Sequence, residues 1–386
     1  MSEPKVKIAI VVGTRPEAIK MAPVILELQA NPSRWEVAVV ATAQYRELLD
    51  QVFRLFDIRP DHDLDIMRDD QSLFDVTDRA LRGLEAVLRE GRPDLVMVHG
   101  DTTTTFVGAL SAYYLQIPVA HVEAGLRTGQ RYSPFPEEIN RHLTGVLTDL
   151  HFAPTHKAAW NLRGEGVDAS GILVTGNTVI DALLATAARE DAPAGLPDVP
   201  LDDGRKLILM TAHRRESFGA PLERAFGALA AVAGRHPDCR IVYPVHPNPN
   251  VRGPAEAILG GLENVHLCEP LDYAPFVHLM KRAHLIITDS GGIQEEAPSL
   301  GVPVLVMRDV TERPEAVEAG TVKLVGTVPA RIEDKVERLL TDDDYHRAMA
   351  TAVNPYGDGQ AARRIRERLA QHFFDGPPPE PFAVEA

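Results

Sequence analysis

At 386 residues, with 45% hydrophobic and 25% charged residues, the chain has the balance of a soluble globular protein and a length that suggests two domains. The formal charge of -15 argues against nucleic acid or an anionic membrane surface as partner, so any anionic ligand needs its own local cluster of cations. The two cysteines, Cys239 and Cys268, lack CxxC or His/Cys metal spacing, and no apolar run reaches the length of a membrane span. A cytoplasmic, reducing location without a metal is the expectation.

Short apolar, β-branched runs alternate with amphipathic stretches almost from end to end. Strands are predicted at 6–13, 36–42, 95–100, 119–123 and 150–153, with helices at 17–28, 73–88 and 103–114 between them. Residues 190–205, rich in Ala, Pro, Asp and Gly, mark a seam. A second series follows, with strands at 207–211, 241–245, 265–268, 285–288 and 302–307 and a helix at 275–282. Runs apolar on both faces suit parallel strands covered by helices on both sides. The expected fold is therefore α/β, with two doubly wound, Rossmann-like domains at 1–190 and 191–359. A helix at 360–375 is expected to pack back on the N-terminal domain, followed by a disordered, proline-rich tail at 376–386.

The first strand ends in Gly13-Thr14-Arg15-Pro16-Glu17, with Lys20 a turn further on. Gly13 permits a sharp exit from the strand, and Pro16 fits the first helical turn, where its missing N–H does no harm. Arg15 and Lys20 then stand near a helix N-terminus, a favourable place for phosphate; the plainer reading is solvated cations at a turn. Two later strands end in carboxylates, Asp101 in Gly100-Asp101-Thr102 and Glu123 in His121-Val122-Glu123-Ala124-Gly125. Alone, Asp101 reads as a helix N-cap. Glu137 and Glu138 open another helix, where acidic residues are commonly dipole partners. Three carboxylate positions at one sheet edge are harder to explain that way.

In the second half, His213-Arg214-Arg215-Glu216 closes a strand. Asp289-Ser290-Gly291-Gly292 turns from a strand into a helix that carries Glu296. Ser290, Gly291 and Gly292 can present backbone N–H groups to a pyrophosphate, and Glu296 can accept from ribose hydroxyls. Arg313 follows another strand end and can add a phosphate cation.

Taken together, these motifs resemble the non-hydrolysing UDP-N-acetylglucosamine 2-epimerases over nearly the whole chain. The resemblance implies a GT-B fold with the active site in an interdomain cleft, a homodimer and no cofactor. It also implies reversible epimerisation of UDP-N-acetylglucosamine to UDP-N-acetylmannosamine, a source of N-acetylmannosamine for cell-surface polysaccharide. Arg15, Lys20, Asp101, Glu123, His213, Phe276, Ser290, Gly291, Gly292, Glu296 and Arg313 are implied to line the UDP-sugar site. Leu271 stands where relatives often carry glutamine against the uracil.

In such a reaction UDP leaves carbon 1, which acidifies the carbon 2 proton; 2-acetamidoglucal forms, and UDP adds back with a proton delivered to the opposite face. Different groups must act on the two faces. Asp101 and Glu123 are the expected acid/base pair, assisted by Glu137, and the sequence does not order them. Arg15, Lys20, His213 and the 290–292 turn are expected to stabilise the departing pyrophosphate. No nicotinamide is required, and the first strand lacks a GxGxxG fingerprint.

Many bacterial members of that family are activated by their own substrate at a second site. Gln44, Arg214 and His246 match such a site, but Glu47 and Asp70 bring carboxylates toward an anionic pyrophosphate, so weak or absent activation is expected. Competing readings are a 2-epimerase of a UDP-diacetamido-sugar acid, a GT-B glycosyltransferase and a nucleotide-sugar binder without turnover. A transferase leaves the Asp101/Glu123 pair unexplained, and the intact carboxylates argue against a mere binder.

Overall fold

A computed structural model of the protein describes residues 5–43, 46–68 and 70–384. The chain divides into two compact units: Met1–Ala182 with Tyr356–Ala383, and Leu183–Pro355 with Val384–Ala386. The division falls within the helix Thr178–Ala187, upstream of the 190–205 stretch.

The first unit holds a seven-stranded parallel sheet. Its strands are β1 (Val6–Val12), β2 (Trp35–Ala41), β3 (His62–Asp63), β4 (Leu95–His99), β5 (Val119–Val122), β6 (Leu150–Ala153) and β7 (Ile172–Val174). Their order is β3-β2-β1-β4-β5-β6-β7. The second unit holds a six-stranded parallel sheet of β8 (Lys206–Thr211), β9 (Cys239–Pro244), β10 (Val265–Cys268), β11 (Leu285–Thr288), β12 (Val304–Val306) and β13 (Val322–Leu324). Its order is β10-β9-β8-β11-β12-β13. Both are doubly wound, two Rossmann-like units of the GT-B class. Ile8, Ile10, Val12, Val39 and Met97 are buried in the first sheet and Ile208, Met210, Ile241 and Ile287 in the second, which is why these runs are apolar on both faces.

The strand order reverses between β1 and β4 in the first unit and between β8 and β11 in the second. Ligands of doubly wound sheets bind outside the carboxyl ends of the strands at such a reversal. Gly13 and Gly100-Asp101 follow one pair of strands; Ala212-His213 and Asp289-Ser290 follow the other.

Four elements differ from expectation. The strands β3, β7 and β13, two or three residues long, escaped the sequence reading because each is an edge strand too short to show a period. The tail after the last helix, Ala361–Phe374, is not disordered over residues 376–384. Phe382 is buried and donates its N–H to Val174 O at 2.8 Å, and Glu380 O accepts from Arg364 Nε at 3.2 Å. A proline-rich segment has few donors to satisfy, and one aromatic anchor against Ala124, Ala153 and Leu162 holds it. The helix Ala361–Phe374 itself belongs to the first unit and packs on the helix Arg15–Gln29.

Candidate active site

In the first unit, the turn after β1 is built around a buried carboxylate. Thr14 caps the helix Arg15–Gln29 and forms a reciprocal capping box with Glu17. Glu17 Oε2 accepts the N–H groups of Gly13 at 2.7 Å and Thr14 at 2.8 Å; its Oε1 accepts from the hydroxyls of Thr102 and Thr105. Burial pushes the Glu17 carboxyl up, while these four bonds favour the ion. Gly13 is obligatory here, because a Cβ would lie 2.4 Å from Thr104 Oγ1. Glu17 thus joins the loop after β1 to the loop after β4.

Those loops carry the expected acid/base residues. Asp101 is not the helix cap; Thr102 caps Thr103–Tyr114 by accepting the N–H of Thr105. Asp101 instead takes the guanidinium of Arg141 on Oδ2, from Nε at 2.9 Å and Nη2 at 2.6 Å, while its carbonyl accepts from Asn140 Nδ2. Arg141 also reaches Glu138 Oε2 at 3.0 Å. Glu138 is buried and accepts the N–H groups of Thr128 and Gly129. Its burial pushes the carboxyl up, but those N–H groups and Arg141 outweigh it and hold the carboxyl below its usual range. Glu137, half-buried, makes no such contact among the described residues.

Glu123, one residue past β5, has φ 64°, the left-handed region that non-glycine residues enter at an energetic cost. Its Oε2 lies 2.5 Å from Lys20 Nζ, 2.9 Å from Asn177 Nδ2 and 3.9 Å from His99 Nε2. Lys20, expected as a phosphate cation, is therefore the ion-pair partner of Glu123. Arg15, half-buried, makes no hydrogen bond or ion pair among the described residues. Three histidines lie beneath: His99, His121 and His151, on adjacent strands. Burial pushes them down to about 4, about 3 and about 4 respectively, so all three are neutral near pH 7.

In the second unit the organising group is Asp289, which is buried. Its Oδ2 accepts the N–H groups of His213 and Arg214, each at 2.8 Å, and its Oδ1 lies 2.9 Å from His213 Nδ1. Burial alone would raise the Asp289 carboxyl; the His213 contact and the two N–H groups reverse that and hold it low. The His213 ring is half-exposed and stacks on His246, centroids 6.2 Å apart. A Cβ on Gly291 would lie 3.7 Å from Arg214 Nη2 and 3.9 Å from Arg313 Cζ, so two guanidinium groups flank the glycine turn.

Ser290 opens the helix Gly291–Glu296 and donates its N–H to Thr288 Oγ1. Arg313 pairs with Glu295, and Glu296 accepts from the Tyr273 hydroxyl at 3.3 Å. Tyr273 begins the helix that carries Phe276, with Leu271 half-buried just before it. Arg214 and His246, read as activator ligands, thus belong to the His213 cluster; Gln44 lies outside the described residues.

Among the described residues no group of His, Cys, Asp and Glu could hold a metal ion, and no helix is long and apolar enough to cross a membrane. The sequence reading quoted Glu138 and Asp289 in motifs without giving them a site role, and gave none to Arg141, Asn177 and His99. Arg141, three residues after Glu138 on one helix, had a visible signal in that spacing; Asn177 had none.

A family model described as UDP-N-acetylglucosamine 2-epimerase matches residues 26–370. The chain is 57% identical over 371 residues to the UDP-N-acetylglucosamine 2-epimerase of Escherichia coli strain K12, covering 94% of this chain and 98% of that one. The chain belongs to the UDP-N-acetylglucosamine 2-epimerase family. It is 53% identical over 369 residues to the Bacillus subtilis strain 168 enzyme of that name, covering 96% of each. Among solved structures, a crystal structure of UDP-GlcNAc 2-epimerase from Neisseria meningitidis bound to UDP-GlcNAc has a TM-score of 0.85 and 50% identity, covering 95% of this chain and all of that one.

Proposed function

We propose that this isomerase interconverts UDP-N-acetylglucosamine and UDP-N-acetylmannosamine by elimination and re-addition of UDP, with Asp101 and Glu123 as its acid/base pair. The observation that carries this reading is the delivery of two carboxylates to one sheet edge by adjacent strands, each beside its own cation, Arg141 or Lys20. The C1–O bond to UDP breaks, one carboxylate takes the C2 proton, and 2-acetamidoglucal forms. UDP then bonds to C1 again while the second group delivers a proton to the other face of C2. The cations Arg214 and Arg313, the imidazole of His213 and the 290–292 turn suit the pyrophosphate. Arg15 and Glu137 are kept as substrate-side groups, Phe276 and Leu271 as uracil-side groups and Glu296 as a ribose acceptor.

We also assign it a cytoplasmic homodimer that feeds N-acetylmannosamine to cell-surface polysaccharide synthesis. Tyr113, Tyr114 and Val146, all exposed on two helices packed together in the first unit, support self-association. Sedimentation velocity giving a monomer at micromolar concentration would remove the dimer.

The test of the reaction is incubation with UDP-N-acetylglucosamine in deuterated water. The expected product is UDP-N-acetylmannosamine carrying deuterium at C2. Asp101→Asn and Glu123→Gln should each lower turnover by roughly a hundredfold or more while retaining UDP affinity. Release of free sugar, transfer to an acceptor or unlabelled recovery would overturn the epimerase reading.

A further inference from the structure

His99 ends β4 at 3% exposure, and neither ring nitrogen has a hydrogen-bond partner in another described residue. Leaving a buried polar group unsatisfied is destabilising, and an apolar ring would fill the same space without that penalty. Its neighbour His121, by contrast, uses Nε2 on Gly100 O at 2.7 Å. His99 Nε2 lies 3.9 Å from Glu123 Oε2, about 1 Å beyond a hydrogen bond.

The other titratable groups around it are few. Lys20 acts on it from the helix Arg15–Gln29, Glu123 from the loop after β5 and His121 from β5, while Glu17 reaches only its backbone carbonyl, through the Thr105 hydroxyl. Glu17 is occupied by four hydrogen bonds. Lys20 has a double demand on it: it pairs with Glu123 at 2.5 Å, and its ammonium is a cation at the edge where the substrate's phosphates are expected. As Lys20 turns toward an anionic substrate, Glu123 loses its nearest donor.

We propose that His99 is a positioning residue for Glu123, whose neutral Nε2–H takes over the Oε2 hydrogen bond when Lys20 turns to the substrate's phosphate. Burial keeps the ring uncharged near pH 7, so it donates without repelling Lys20 and without acting as a competing acid. Glu123 itself sits in the left-handed backbone region, at φ 64°. The inference rests on the epimerase reading of Glu123.

Two measurements test it. In protein labelled with 15N-histidine, long-range 15N spectra should show His99 as the neutral Nε2–H tautomer at pH 7. An Nδ1–H tautomer or an imidazolium would overturn the proposal whatever the enzyme does. In the variants, His99→Gln places an amide donor near the Nε2 position and His99→Asn places one near Nδ1. His99→Asn should lose roughly tenfold in kcat, the worth of one hydrogen bond to a charged group, with KM within about twofold. Its acid limb in the pH profile should move up by about one unit, because a donor to the ionised carboxylate is gone. His99→Gln should recover most of both. Equal kcat and equal pH profiles in the two variants would sink the idea. A silent wild type would defeat the epimerase reading alone, since the tautomer would still decide the contact.

Discussion

Replacing Lys20 by methionine keeps the stem of the side chain and deletes an ammonium 2.5 Å from Glu123 Oε2. The two side chains retain 17% and 10% of their exposure, so water does little to screen the loss. Removing one member of a buried pair costs about 3–5 kcal/mol, because the survivor stays desolvated without its counter-charge. Asn177 still donates to the same oxygen at 2.9 Å, which argues for the lower end, about 3 kcal/mol. In a unit of this size that lowers Tm by about 6–12 °C. Calorimetry on Lys20→Met, Glu123→Gln and the double variant measures it. The double variant buries neither charge, so it should melt above Lys20→Met despite carrying one more substitution, with a coupling of about 2 kcal/mol. If Lys20→Met melts within about 2 °C of the wild type, or the two substitutions simply add, the pair is not the buried interaction described here.

Three further outcomes are expected. Asp289→Asn can keep both backbone hydrogen bonds only by turning its NH2 toward His213 Nδ1, which removes the carboxylate oxygen that holds the His213 ring; UDP affinity should fall about tenfold by titration calorimetry, and an unchanged Kd would contradict it. Asp181 caps the helix Ala361–Phe374 through the N–H groups of Ala361 and Ala362, yet burial pushes its carboxyl up to about 6. A raised carboxyl stabilises the fold below its unfolded pKa and loses that contribution as pH rises through the folded one, so Asp181→Asn should gain Tm relative to wild type between about pH 4 and pH 6.5; a flat difference would refute it. Starting from pure UDP-N-acetylmannosamine, no pronounced lag relieved by trace UDP-N-acetylglucosamine is expected. Arg68, a cation that could offset Asp70, is turned back onto the carbonyls of Asp65 and Met67.

The fold was legible wherever both faces of a strand are buried. The ten strands read from the sequence all occur, most with ends shifted by a residue or two, and two boundary shifts have visible local reasons. The helix expected at 17–28 begins at Arg15 because Thr14 and Glu17 close a capping box, and the strand expected at 302–307 pairs only over Val304–Val306. What escaped were edge strands, which need only one paired side and two or three residues to form. The ordered tail escaped for a different reason. Its proline content reads as disorder, but a single phenylalanine in a pocket outweighs composition when the backbone beside it finds one carbonyl partner.

The placement of the candidate residues at one sheet edge was legible, and their partners were not. A doubly wound sheet sends every strand end to one edge, so Asp101 and Glu123 could be read as neighbours without knowing the register. Lys20 and Glu123 are 103 positions apart, and only the β1-β4-β5 order brings them together. Glu138 makes the point more sharply. One residue along a helix rotates a side chain by about 100°, so choosing Glu137 over Glu138 chooses a different face. Hydrophobic phase gives the wrong answer there, because the helix Glu137–Leu147 buries Glu138, Asn140, Thr144 and Gly145 while exposing Leu143 and Val146. A helix inverted in this way spends its inner face on hydrogen bonds to the Asp101 loop and the 128–129 turn and leaves its apolar side outward. The inversion is readable in a sequence once it is looked for: polar residues at helical spacing behind an acidic start, opposite an apolar stripe with no core strand to cover it.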